Sequence, residues 1–166
     1  MHEHRPPLLV LGLGSLLLSD DGFGIALLTE LRRIHAGDPF IELIDGGTLG
    51  TTLLGELEGR RALLILDALA GEVPGEVQRI DDPLARPSQQ GIGGHGANAS
   101  GLLGAASLLG WLPEYTAVVG AVPASLETGI GLSPALKRAL PAAVELAQRT
   151  LAEFRVAIEE GAACTN

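Results

Sequence analysis

Apolar residues fall into two alternating patterns along the chain. Nearly continuous apolar runs occupy 8–14 (LLVLGLG), 40–45 (FIELID), 62–69 (ALLILDAL) and 115–122 (YTAVVGAV). Runs of that kind are strands buried on both faces of a parallel sheet. The stretch 76–81 (EVQRID) alternates instead and reads as an edge strand with one wet face.

Between the strands lie amphipathic stretches. Phe23, Leu27, Leu31 and Ile34 make one apolar stripe at helical spacing. Leu49, Leu53, Leu54 and Leu57 predict a shorter helix, and Leu102, Leu103, Ala106 and Leu109 a third. The last helix opens with Ser133 as N-cap and Pro134 at its first position. Its stripe is Leu136, Leu140, Val144, Ala147, Leu151 and Phe154, and Pro141 is expected to kink or divide it by removing one hydrogen bond.

Strands alternating with helices predict right-handed crossovers. The expected architecture is a single three-layer α/β domain: a mostly parallel twisted sheet of about five strands, with helices on both faces. The domain is expected over 8–158, between flexible tails at 1–7 and 159–166.

Composition refines this picture. Only 3% of the 166 residues are aromatic, so small and aliphatic side chains must fill the core. The 23 glycines gather at predicted turns rather than in one low-complexity block. A net charge of −9 repels phosphate backbones and anionic lipid, which argues against nucleic acid and membrane partners. The single cysteine, Cys164, permits no intrachain disulfide and reads as a thiol on a mobile tail. No apolar run approaches the roughly 18 residues of a membrane span, and the polar start MHEHRPP is unlike a signal peptide. A cytoplasmic location is the expectation.

In a doubly wound sheet, ligands sit outside the carboxyl ends of the strands. The first such end, LGLGSLLLSDDGFG, begins like a dinucleotide turn. Gly12 and Gly14 fit the Gly-x-Gly-x-x-Gly fingerprint, but Leu17 holds its third position. Asp20 and Asp21 then place negative charge where a pyrophosphate would dock. Asp45 is available as the ribose acid, so a nucleotide-binding module stays open as an alternative. The two glycines otherwise read as a tight turn or room for close backbone approach. Asp20 and Asp21 also suit a helix start, where a carboxylate caps free amides and contributes on the order of 1 kcal/mol.

Asp67 interrupts the most apolar run of the chain at the end of a central strand. A carboxylate there must be paired, hydrogen-bonded or bound to a cation, since burial without a partner costs several kcal/mol. His95, in the glycine-rich loop GIGGHGANASGLL, stands apart from the other histidines. Two carboxylates and an imidazole form an open N/O ligand set, suited to zinc, nickel or iron with positions left for water or substrate.

At these residues the chain resembles the hydrogenase maturation endopeptidases. The resemblance runs from about Leu8 to Phe154 and rests on the order of GLGSLLLSDDGFG, IDGGTLG, ILDAL, the His95 loop and GAVPASLETGIGLSP. Ser15 stands where that family commonly has asparagine. The resemblance implies an endopeptidase that removes the carboxyl-terminal extension of a nickel–iron hydrogenase large-subunit precursor after nickel insertion. It implies Asp21, Asp67 and His95 as metal ligands and catalytic residues, and Asp45, Gly46, Gly47 and Thr48 as the substrate-recognition segment. It further implies that the substrate subunit supplies the nickel, that another divalent cation can occupy the site, and that no nucleotide cofactor is used. A monomer is expected. A non-catalytic adaptor or chaperone for the same subunit is the remaining alternative.

Overall fold

The computed structural model describes residues 5–84 and 97–163. Its elements follow in the order β1 (Leu8–Leu13), α1 (Phe23–Ile34), β2 (Ile41–Gly47), α2 (Leu54–Leu57), β3 (Ala62–Ala68), β4 (Val77–Ile80), α3 (Ala97–Leu109), β5 (Tyr115–Ala121) and α4 (Pro134–Ala163). Short 3-10 turns at Ser19–Gly22 and Gly50–Leu53 lead into α1 and α2.

The strands form one sheet in the order β2-β1-β3-β5-β4. The first four are parallel, and β4 runs antiparallel to β5 at the edge. Side chains alternate across such a sheet, so each central strand feeds two cores. Leu8, Val10, Leu64 and Leu66 pack under α1 and α4, whereas Leu9, Leu11, Leu63 and Ile65 pack under α2 and α3. Every residue of β1 and β3 is buried, as a strand covered on both faces requires. The three layers and the mostly parallel sheet are those expected from the apolar pattern.

Helix periodicity located the helices and missed some of their contacts. Ile34, Leu49 and Leu109, each assigned to an apolar stripe, are 49%, 57% and 54% exposed at the margins of their helices. In α4 the fully buried line runs through Leu136, Ala139, Ala143, Ala147, Leu151 and Phe154. Leu140 and Val144 flank it half-buried against the same core. The helix is not divided at Pro141 and continues to Ala163, five residues past the boundary expected at 158. Pro141 stands on the exposed face of the helix, with Ala139 and Ala143 buried on either side of it.

The direction in which successive strands are added reverses between the parallel neighbours β1 and β3. From β1 the chain passes through α1 to β2 on one side, while β3 leads towards β5 on the other. The crevice at the carboxyl ends of β1 and β3 is therefore the topological switch point, where ligands bind in such sheets. Among the described residues, no helix is long and apolar enough to cross a membrane.

Candidate active site

The loop leaving β1 turns at Gly14, whose φ is +124°. A side chain there would meet a wall as well as strain, since a Cβ would stand 1.8 Å from the Asp21 carbonyl oxygen. The loop thus folds back on itself and lays its 3-10 turn over the strand end. Asp21 is buried in that turn, and its Oδ2 accepts the Ser15 N–H at 2.8 Å. Ser15 serves Asp21 through its backbone, while its Oγ accepts the Leu17 N–H at 3.3 Å.

Asp67 arrives from β3. It is 5% exposed, and its Oδ1 accepts the N–H of Ala68 at 2.8 Å. Among the described residues no other hydrogen bond reaches this side chain. Neighbouring Gly120 of β5 makes room for its backbone, because a Cβ there would stand 1.9 Å from the Asp67 carbonyl oxygen. Burial pushes the Asp67 carboxyl up to about 7, the Ala68 N–H opposes that rise, and the negative charge of Asp21 adds to it. The two predicted carboxylate ligands thus meet at the switch point, close enough for one to alter the other's ionisation.

Asp20 faces the opposite way. Its side chain caps neither its own 3-10 turn nor α1, contrary to the helix-start role expected for it. Instead Oδ2 accepts the N–H groups of Ala124 (2.8 Å) and Ser125 (3.1 Å), and Oδ1 accepts that of Ser133 (2.6 Å). Burial would raise its pKa, but the Ser133, Ala124 and Ser125 hydrogen bonds outweigh that and hold it below the ordinary carboxylate value. Ser133 caps α4 as expected, its Oγ accepting the Leu136 N–H at 3.3 Å. One buried carboxylate thereby fastens the first loop to the segment 123–133. Sequence reasoning gave that segment no role; its resemblance to the family segment was the available signal.

The recognition segment expected at 45–48 lies at the end of β2, beside β1. Exposed Asp45 accepts the Gly47 N–H at 3.0 Å, and the Gly47 carbonyl accepts the Gly14 N–H at 2.9 Å. Gly46 is buried, and Thr48 is exposed. His95 lies outside the described residues, as does Cys164. Among the described residues, no group of three ligating side chains forms a metal site.

Two buried carboxylates, one with its pKa raised by burial and further by the other's charge, form a donor set that a divalent cation relieves. The same charge repels a pyrophosphate, and the dinucleotide reading finds no support at this helix start.

A family model for hydrogenase maturation protease matches residues 25–150. The chain belongs to the hydrogenase maturation protease family. The protease is 32% identical over 152 residues to hydrogenase 2 maturation protease of Escherichia coli, covering 90% of this chain and 93% of that one. It is 33% identical over 162 residues to the hydrogenase expression/formation protein HupD of Rhodobacter capsulatus, covering 95% and 77%. The solved structure of the hydrogenase maturating endopeptidase HybD from E. coli superposes with a TM-score of 0.75 at 30% identity, covering 88% of this chain and 92% of that one. The protease is therefore a hydrolase of the endopeptidase class, and the expected fold is that of its solved relatives. The family match begins after the first loop; what the structure shows of Asp21 is that its charge acts on Asp67 at the strand end.

Proposed function

We propose that this protease removes a carboxyl-terminal extension from the large-subunit precursor of a nickel–iron hydrogenase, and that nickel already seated in the substrate directs it to the cleavage point. The observation that supports this most directly is the coupled, buried pair Asp21 and Asp67 at the switch point of the sheet. A buried carboxyl near neutrality with one hydrogen bond among the described residues costs stability, and it is retained where function needs it.

In this reading Asp21 and Asp67 supply oxygen ligands and His95 an imidazole, leaving coordination positions for the substrate. Those residues would hold a divalent cation, whose chemistry when bound would be that of a Lewis acid toward a carbonyl or a water. Asp67, with a pKa about 7, also suits a proton acceptor at neutral pH. Asp21 is kept oriented by the Ser15 N–H and by the turn at Gly14. The 45–48 segment borders the same crevice and reads the substrate. Sharing the metal between enzyme and substrate converts a bimolecular search into a positioned reaction. The protease works as a cytoplasmic monomer, needs no nucleotide, and accepts another divalent cation in place of nickel.

The decisive experiment incubates the protease with nickel-loaded and nickel-free precursor and weighs the product by mass spectrometry. Loss of the extension from the nickel-loaded form alone is expected. Equal cleavage of both forms overturns the nickel requirement, and tight binding without any change in mass favours an adaptor.

A further inference from the structure

Three large apolar side chains stand in the open on the two segments that Asp20 ties together. Leu16 is 57% exposed, Leu17 65% and Ile130 89%. Scattered exposed leucines are ordinary on any protein surface. These are not scattered. Leu17 and Ile130 lie on adjoining segments joined by the Leu18–Gly129 bridge, in which the Gly129 N–H donates to the Leu17 carbonyl and the Ser19 N–H to that of Gly129, both at 2.9 Å. Leu16 rests over Gly22, where a Cβ would stand 3.2 Å from its Cδ2. Gly22 directly follows Asp21, so the apolar patch borders the candidate catalytic carboxylate.

The patch is also held in place. Ser19 Oγ donates to the Glu127 carbonyl at 2.9 Å, and the three N–H groups on Asp20 anchor the far segment. Side chains mounted on a fixed frame lose little freedom when a partner covers them. An endopeptidase must hold a polypeptide beside its reacting groups, and that polypeptide is the occupant that borders this site.

We propose that Leu16, Leu17 and Ile130 form a subsite that takes apolar side chains of the substrate polypeptide beside the Asp21–Asp67 pair. The inference rests on the reading above for the identity of the substrate. It adds that recognition has an apolar component, supplied by the first loop and the 123–133 segment together. Its binding energy comes from buried hydrocarbon and is therefore insensitive to salt, unlike attraction between charged surfaces.

The test compares wild type with the double variant Leu17→Ser/Ile130→Ser, the conservative variant Ile130→Leu, and Leu108→Ser, which removes an apolar group 90% exposed on α3. Affinity for the nickel-loaded precursor is measured by calorimetry at low and high salt, KM and kcat by cleavage, and self-association by sedimentation. Burial of such side chains implies a loss of affinity and a rise in KM of about tenfold or more in the double variant. The expected kcat stays within about twofold of wild type, and the salt dependence is unchanged. Leu108→Ser is expected to match wild type, and Ile130→Leu, which keeps an apolar side chain, to retain most of the affinity that the double variant loses. Unaltered precursor affinity in a folded double variant overturns the subsite while cleavage by wild type leaves the substrate assignment intact. A patch that serves a second copy of the chain appears as a wild-type dimer dissolved by the double variant with KM unchanged, which also overturns it. Failure of wild type to bind the precursor at all removes the substrate reading, and the subsite with it.

Discussion

The Asp67 carboxyl, buried at the end of β3, is raised to about 7 by that burial and further by the charge of Asp21 on the neighbouring loop. Each residue reaches the crevice by a different route. Asp67 rides on a strand whose every residue is buried, whereas Asp21 is brought over by a turn that only glycine permits at position 14. Their meeting makes the site costly when no cation is present, and the cost has measurable consequences.

The first is a pH dependence of stability. Asp67 has a higher pKa folded than unfolded, so the native state holds its proton over a range where the unfolded chain has lost it. Stability of the metal-free protein therefore falls as pH rises from about 4 to 7, by a few kcal/mol from this group. Asp67→Asn removes the proton and is expected to flatten the slope and raise stability at pH 8 while abolishing cleavage. Urea titrations at pH 5 and pH 8 compare the two proteins, and an equal slope in both refutes the assignment.

Cation binding should reverse that cost. Nickel or zinc at about 100 times its dissociation constant stabilises a protein by about 2.7 kcal/mol. Thermal denaturation is expected to show a clear rise in wild-type Tm that Asp21→Ala and Asp67→Ala each lose. His95→Ala is expected to weaken the same response, which examines the third proposed ligand without recourse to activity.

Asp20 should matter for stability from its place between two segments. Asp20→Ala strands three backbone N–H groups and is expected to cost about 3 kcal/mol in urea unfolding. Because its folded pKa lies below the unfolded value, its contribution is complete above about pH 4 and is lost as acid lowers the pH through the folded value. The acid limb of the stability curve is accordingly expected to be less steep in the variant.

Gly14→Ala tests the turn. The new Cβ would stand 1.8 Å from the Asp21 carbonyl at a φ of +124°, so the loop must shift. A loss of about 3 kcal/mol or more is expected, together with weaker cation binding, since Asp21 moves with the loop. Gly37→Ala is the comparison, because it also has positive φ, +77°, but no atom within 4 Å of a Cβ. It should destabilise less and leave cation binding alone.

The strand framework is legible in the order of residues alone. Nearly continuous apolar runs had to become buried strands, because no half-wet surface tolerates them, and Asp67 stands out as the carboxylate inside the most apolar of them. Helix stripes are visible in the same way but their margins are not: Ile34 and Leu109 satisfy the period and still lie in solvent. Periodicity reports which face of a helix turns inwards, and the neighbouring elements decide how far along the helix that face is covered. Asp20 and Asp21 show the same division at the site. Adjacent in sequence and alike in chemistry, they are separable in the sequence only through the family motif.

The sequence by itself determined the alternation of strands and helices, the strand ends that carry carboxylates, and the family, since these depend on local residue order. Tertiary structure alone decided that Asp20 holds the 123–133 segment, more than 100 residues away. It alone decided that the Leu18–Gly129 bridge brings the segments carrying Leu17 and Ile130 side by side and that the charge of Asp21 reaches Asp67. The physical reason is that a carboxylate's role is set by the donors and charges that surround it, and only the folded chain brings those together.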